Sequence, residues 1–262
     1  MKNFIRSLRK KTKPFGFDPI MFLNSIRGLR FYFRDISAIK KQKKGNSDFP
    51  FGKKFPILTE RFESSGTMIG HYFHQDLLVA RKVFENKPNR HIDIGSRTDG
   101  FVAHVAVFRE IEVIDIRSQQ TTVKNIICKQ ADLMNLSDDM VDYSDSISAL
   151  HSIEHFGLGR YGDPIDYYGH IKGLNNIYKM LKSDGKFYFS VPIGPQRIEF
   201  NAQRVFSLNY LLNIFKNKFR IDSFSYVDDK GELIEGCQLT QNRIDTNYNC
   251  TYGCGIFELT KI

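Results

Sequence analysis

The stretch HIDIGSRTDGF at residues 91–101, with EVIDI following at 112–116, constrains this chain more than any other feature. Ile92 and Ile94 alternate with Asp93 and Gly95, the pattern of a buried strand that ends in a small turn. The turn is expected to open a helix near Asp99. Strand–turn–helix junctions of this kind sit where doubly wound folds bind nucleotides.

The rest of the chain repeats the alternation. A helix is expected from about Tyr72 to Asn86, stopped by Pro88. Strands are expected at 91–95, 112–116, 124–129, 145–151 and 186–193. Between the last two, GHIKGLNNIYKMLKSDG reads as a helix ended by Gly185. A further helix near SLNYLLNIFKN precedes two more strands, FRIDSFSYV and GIFELTKI, which are expected to close the sheet as an antiparallel edge pair. Such an order specifies an α/β fold with a mainly parallel sheet.

Charge divides the chain unevenly. The net charge is +9, yet residues 1–44 hold thirteen Lys or Arg against Asp18 and Asp35, so the whole excess lies at one end. Phe22, Ile26, Leu29, Phe33 and Ile36 recur at helical spacing after Pro19, beside a second stripe of Arg27, Arg30 and Arg34. A basic amphipathic helix of this kind packs on its own domain or on a second copy of the chain, or it lies on an anionic membrane. Residues 40–56, KKQKKGNSDFPFGKKFP, read as a linker. The expected organisation is therefore an arm and linker over 1–56 and an α/β domain over 57–262. No apolar run approaches a membrane span and the N-terminus lacks a signal-peptide block, so a cytoplasmic protein is expected, peripheral at the inner membrane face if the arm binds lipid. With no recognition module and a body that is not basic, nucleic acid is not an expected partner. The four cysteines form no CxxC pair and read as buried, reduced thiols.

The turn after residue 94 lacks the GxGxxG of dinucleotide sites, and Arg97 stands where a diphosphate needs room. A cofactor without a diphosphate fits better. Asp115, at a strand end, can accept from both hydroxyls of a ribose, and Asp132 in CKQADL from an adenine amino group.

The order DxG, strand-end Asp, AD, DSISALHSIEH and KSDGKFYFSVPIG resembles the class I S-adenosylmethionine-dependent methyltransferases. More narrowly, RFESSGTMIGHYFHQDL (61–77), HIDIGSRTDGFVAH, SIEHFGLGRYGDPID (152–166) and FSVPIGPQRIEFNAQRVF (189–206) resemble a domain-of-unknown-function family within that superfamily. The resemblance implies a Rossmann-like, seven-stranded sheet whose last strand is antiparallel. It also implies S-adenosylmethionine as cofactor, held by Asp93, Gly95, Ser96, Gly100, Asp115 and Asp132. It supplies no acceptor.

HSIEH at 151–155 matches the inverted zinc-protease pattern HxxEH, but SISAL before it and Gly157 and Gly159 after it read as a strand end and loop rather than two helical turns. No metal is expected. The loop should leave the carboxyl edge of the sheet beside the cofactor. Methyl transfer to an alcohol needs a base. His155 is the first choice, with Glu154 positioning the loop and His151 the alternative. His71 and His74, Arg160 and Asp163, and Asn201 and Arg204 are candidates for an acceptor pocket, since Arg binds phosphate or carboxylate and Asp or Asn binds hydroxyls. Arg160 and Asp163 can equally pair with each other and brace the loop. The expected function is S-adenosylmethionine-dependent methylation of a sugar or glycan hydroxyl, in surface polysaccharide biosynthesis. The alternatives are another transferase or nucleotide-sugar enzyme on this fold, or a noncatalytic partner in a glycan-assembly complex.

Overall fold

Asp18 accepts from the backbone N–H of Ile20 (3.0 Å) and Met21 (3.2 Å), satisfying two of the unpaired donors that open a helix. Helix α1 (Pro19–Lys43) starts there. The computed structural model describes residues 8–9, 11–43, 45 and 48–262, which fall into two units, Met1–Thr67 and Met68–Ile262. In the first unit α1 runs on through Lys40, Lys41 and Lys43, where a linker was expected. Lysine is a good helix former, and its charge favours the helix C-terminus. Gly28 lets the segment after residue 56 cross α1 closely, since a Cβ there would come within 2.0 Å of the Leu58 carbonyl oxygen. Arg61 pairs with Asp35 (2.7 Å) along the same crossing. Of the predicted apolar stripe, Phe22, Ile26, Leu29 and Phe33 remain exposed.

The second unit begins with α2 (His71–Asn86), closed by Lys87 in the left-handed region just before Pro88. The chain then lays down β1 (His91–Ile94), a turn of helix at Thr98–Val102 running into α3 (Ala103–Ala106), β2 (Ile111–Asp115), β3 (Ile126–Gln130) and β4 (Ser144–Leu150). Next come α4 (Gly169–Met180), β5 (Leu181–Ile193), a small hairpin of β6 (Arg197–Glu199) and β7 (Gln203–Val205), and α5 (Leu208–Phe215). The last elements are β8 (Phe219–Val227), β9 (Leu233–Ile234), α6 (Gln241–Asp245) and β10 (Gly253–Lys261).

The main sheet has the order β3-β2-β1-β4-β5-β10-β8-β9. From β3 to β5 all neighbours are parallel, and β10 runs antiparallel to both β5 and β8. This is the expected mostly parallel sheet with an antiparallel last strand, with two differences. The sheet has eight strands where seven were expected, and β8 and β10 pair antiparallel as expected but with β10 between β5 and β8 and the two-residue β9 at the edge. Helix α4 ends at Met180 rather than at Gly185, because Leu181 already pairs with Ser144 and Lys182–Asp184 bulge outward before the ladder resumes at Lys186.

Side chains alternate between two buried clusters, as period-2 strands require. Ile92, Ile94, Phe187 and Phe189 pack with Leu174, Ile177 and Phe215 of α4 and α5, while Tyr188 and Ile256 pack with Val79 and Val83 of α2 and Val105 of α3. Helices thus cover both faces. The strand order reverses between β1 and β4, so the connections leaving their carboxyl ends run in opposite directions and leave a crevice at that edge.

Candidate active site

The turn after β1 is built around Gly95. Its φ of 66° lies in the left-handed region, and a Cβ would meet the Ser152 Cβ at 3.3 Å and approach the Asp115 Oδ2 at 4.0 Å. A side chain here would crowd Ser152 at the mouth of the crevice and adopt a strained backbone. Asp93 and Ser96 support the turn from beneath. The Asp93 carboxylate, fully buried, accepts from the Ser96 N–H (2.9 Å), the Ser96 hydroxyl (2.6 Å) and the Ser148 hydroxyl (2.6 Å). Burial pushes its pKa up to about 6 against these hydrogen bonds. Neither Asp93 nor Ser96 lines the crevice, contrary to the sequence expectation, because both are consumed in shaping the turn. Gly100 is also displaced from the expected site: a Cβ on it would lie 2.3 Å from the Asp76 Oδ2, so it serves the close packing of α2. Arg97 points to solvent and pairs with Asp99 (2.7 Å).

The crevice itself is lined on one side by Ile94, Gly95, Ile114, Asp115, Ile116 and Arg117, and across it by Asp132, Leu133, Ser152, His155, Phe156 and Tyr161. Apolar side chains dominate, with two carboxylates at strand ends. Asp115 is occupied: Arg117 donates to it from its backbone N–H (2.8 Å), Nε (2.9 Å) and Nη2 (2.7 Å), and the same guanidinium sits 4.4 Å from the centre of the Tyr161 ring. Asp132 accepts from the Met134 N–H (2.9 Å) and the Asn135 side chain (2.7 Å), each on a different oxygen.

After β4 the chain turns sharply. His151 has φ 51°, an uncommon conformation for a side chain of this size, and Ile153–His155 form one short helical turn. The HxxEH residues are therefore not on two turns of helix. Glu154 is fully buried, with Oε1 2.7 Å from His151 Nδ1 and 3.8 Å from His155 Nε2. Burial depresses the His155 pKa, against the pull of Glu154, so its ring is neutral at pH 7. Its Nδ1 donates to the Ala202 carbonyl (2.7 Å), which leaves the Nε2 lone pair available. For His151 burial is outweighed by Cys254 and Glu154, which push its pKa up to about 10. Of the two histidines, His155 is the one that lines the crevice.

The predicted acceptor residues separate. Asp163 reaches the crevice but accepts from the N–H groups of Gly157 (2.8 Å), Gly159 (3.1 Å) and Tyr161 (3.1 Å), bracing the loop. Arg160 donates to the Ala202 carbonyl (3.0 Å) rather than pairing with Asp163. Arg204 is buried and its fork is spent on the carbonyls of Phe156 (2.6 Å) and Tyr167 (3.0 Å); it clamps the loop and does not face a ligand. Asn201 is exposed at the β6–β7 turn. His74 holds a buried Nε2 without a partner. His71 stacks on His151 (centroids 5.1 Å apart) and on Tyr252 (5.4 Å), with its pKa lowered to about 4 chiefly by burial. The structure thus brings Gly95, Asp115, Asp132, His155 and Asp163 to one crevice. Arg117, Ser152 and Tyr161 join them, and for Arg117 its place two residues past Asp115 was the available signal.

Solved structures share this fold. Burkholderia thailandensis 1,6-didemethyltoxoflavin-N1-methyltransferase, with bound 1,6-didemethyltoxoflavin and S-adenosylhomocysteine, is 15% identical, with 71% of this chain and 78% of that chain covered at a TM-score of 0.51. The [4+2]-cyclase SpnF is 14% identical, with 72% and 80% covered at a TM-score of 0.52. The fold is shared with a methyltransferase and with a cyclase, so the fold by itself does not fix the reaction. No curated protein matches the sequence. Residues 102–252, more than half of the chain, match one family profile, and the chain belongs to that family, described as Caenorhabditis protein of unknown function, DUF268.

Proposed function

We propose that the protein is an S-adenosylmethionine-dependent methyltransferase acting on a hydroxyl of a sugar or glycan intermediate. The observation that carries the reading is the crevice at the carboxyl edge of β1, β2 and β4: a glycine turn that a Cβ would obstruct, an apolar cleft, and two carboxylates at strand ends. These residues fit an adenosyl group, with Asp115 accepting from ribose hydroxyls, Asp132 from the adenine amino group, and Ile116, Leu133 and Phe156 enclosing the base. The Burkholderia neighbour's S-adenosylhomocysteine supports the same cofactor class. When bound, S-adenosylmethionine supplies a methyl group on a sulfonium that leaves readily. The chain's own work is positioning and proton removal. His155 accepts the proton of an acceptor hydroxyl at Nε2, and the buried Glu154 carboxylate beside it stabilises the charge that forms.

The arm and linker, residues 1–56, lie outside this chemistry in our reading. The exposed Phe22, Ile26, Leu29 and Phe33, with the arginines of α1, support attachment to an anionic membrane surface where glycan intermediates are assembled. Among the described residues no helix is long and apolar enough to cross a membrane.

Methyl-labelled S-adenosylmethionine, offered with nucleotide sugars, sugar phosphates and lipid-linked oligosaccharides, tests the proposal. Label entering a sugar hydroxyl supports it. Label entering only nitrogen or carboxylate acceptors removes the glycan assignment, and a chain that does not bind S-adenosylmethionine removes the methyltransferase reading itself.

A further inference from the structure

Beside the crevice, three side chains from distant parts of the chain converge. His71 opens α2, His151 follows β4 and Cys254 is near the start of β10; each offers one ligand atom, and the three atoms lie within 4.8 Å of one another. We propose that His71, His151 and Cys254 form a binding site for one divalent transition-metal ion of the zinc class, with a fourth coordination position open to water or a ligand.

The donor set is chemically selective. Two imidazoles and a thiolate suit zinc, cobalt or copper and not magnesium or calcium, which take oxygen ligands. Around a tetrahedral ion with bonds of about 2.0–2.3 Å, neighbouring ligand atoms are roughly 3.3–3.8 Å apart. A closure of up to about 1 Å between the three side chains brings atoms within 4.8 Å of one another into that range.

An independent observation points to a ligand here. His151 is only 7% exposed, and its buried Nε2 has no nitrogen or oxygen partner; the polar neighbours of the ring are Glu154 and the Cys254 sulfur. A buried polar atom left unpaired is costly, and in native proteins it calls for a specific explanation. Its other nitrogen, Nδ1, is held by the Glu154 Oε1 at 2.7 Å. A carboxylate on one ring nitrogen with the opposite nitrogen free is the arrangement that orients a metal-ligating histidine and raises its basicity. Cys254 is fully buried, which protects a metal thiolate from oxidation. Its thiol lies 3.7 Å from the Gln75 amide oxygen, which also accepts from the Ser190 hydroxyl (2.6 Å). One divalent ion, one thiolate and the buried Glu154 carboxylate sum to a neutral cluster, which a low-dielectric interior favours. The HxxEH spacing within the loop would have named His155 as the second ligand. Instead His155 Nδ1 is committed to Ala202, and the partners of His151 come from α2 and β10.

The site stands independently of the methyl-transfer proposal, and its test does not use activity. The metal-free full chain is titrated with Co2+ and followed by optical absorption. One equivalent should give tetrahedral d–d bands and a thiolate-to-cobalt charge-transfer band, both removed by Zn2+. Cys254→Ser should abolish the charge-transfer band, and His71→Ala, at the less buried ligand, should weaken uptake by about a hundred-fold or more. Glu154→Gln should weaken binding about ten-fold to a hundred-fold while keeping the charge-transfer band. Far-UV circular dichroism establishes that each variant is folded. Absence of stoichiometric Co2+ or Zn2+ uptake by the folded full chain would overturn the site, as would uptake unchanged in folded His71→Ala.

Discussion

Asp115 and Arg117 make opposing contributions to cofactor binding that can be separated by mutation. The Asp115 carboxylate is nearly buried and faces the crevice, but Arg117 occupies it from three donors and stacks over Tyr161. The Arg117 side chain is 48% exposed, so the ion pair is worth about 0–1 kcal/mol, and the contact with Tyr161 adds roughly 0.5–1 kcal/mol. A ribose that takes over the carboxylate must displace about 0.5–2 kcal/mol of interaction. Hydrogen bonds to a charged acceptor return about 1.5–3 kcal/mol. Asp115→Ala should therefore weaken S-adenosylhomocysteine binding by the difference, about five-fold at the centre of these ranges, and Arg117→Ala should tighten it by about two-fold to thirty-fold. In the double variant the benefit of losing Arg117 should vanish, because no carboxylate remains to be freed. Calorimetric titration of the wild type, both single variants and the double variant reads all three quantities. Wild-type affinity in a folded Asp115→Ala protein would refute the placement of the ribose, and weaker binding by Arg117→Ala would show that Arg117 contacts the cofactor instead of masking its site.

His155→Gln should lower turnover by about a hundred-fold to ten-thousand-fold while leaving S-adenosylhomocysteine affinity within a few-fold, and the wild-type rate should fall on the acid side through a group below the ordinary histidine value; single-turnover methyl transfer across pH would contradict this if His151→Gln alone lost activity. Gly95→Ala adds a Cβ between Ser152 and Asp115 at a left-handed residue, so it should destabilise the fold by about 1–2 kcal/mol and abolish measurable cofactor binding; a stable variant with normal affinity would count against the pocket. His91, whose pKa burial lowers from 6.5 to about 3, contributes stability that is complete above pH 6.5 and lost as pH falls towards 3, about 2 kcal/mol of it by pH 5. Asp93, raised to about 6, acts in the opposite sense, destabilising as pH rises from 3.8 to 6. Urea unfolding of His91→Gln should therefore show a loss between pH 7 and pH 5 about 2 kcal/mol smaller than the wild type shows, and equal slopes would exclude the assignment. Removing residues 1–67 should abolish sedimentation with anionic liposomes at low salt without changing cofactor affinity; retained liposome binding would move the membrane contact elsewhere.

The parts of this fold that depend on neighbours in sequence were legible before the structure. Alternation through Ile92 and Ile94 and the glycine at 95 located the first strand and its turn, and the strand-end position of Asp115 located the carboxylate across from it. Contacts between distant segments were not. Asp93 looks like a cofactor acid in DxG, but Ser148, on a strand 55 residues away, draws it into the core. Arg204 looks like an anion binder until loop carbonyls from residues 156 and 167 surround it. The end of α4 was misplaced because Gly185 is a strong stop signal, whereas the helix is ended earlier by Leu181 pairing with Ser144. Cys254 carried no motif, and its proximity to His71 and His151 exists only because β10 inserts beside β5.

A crystal structure of the chain saturated with S-adenosylhomocysteine tests the central claim most directly. The account predicts the nucleoside in the crevice after β1, its ribose hydroxyls on Asp115 with Arg117 displaced, and its base enclosed by Ile116, Leu133 and Phe156. An empty crevice at saturating ligand, or the nucleoside bound elsewhere on the chain, would contradict it.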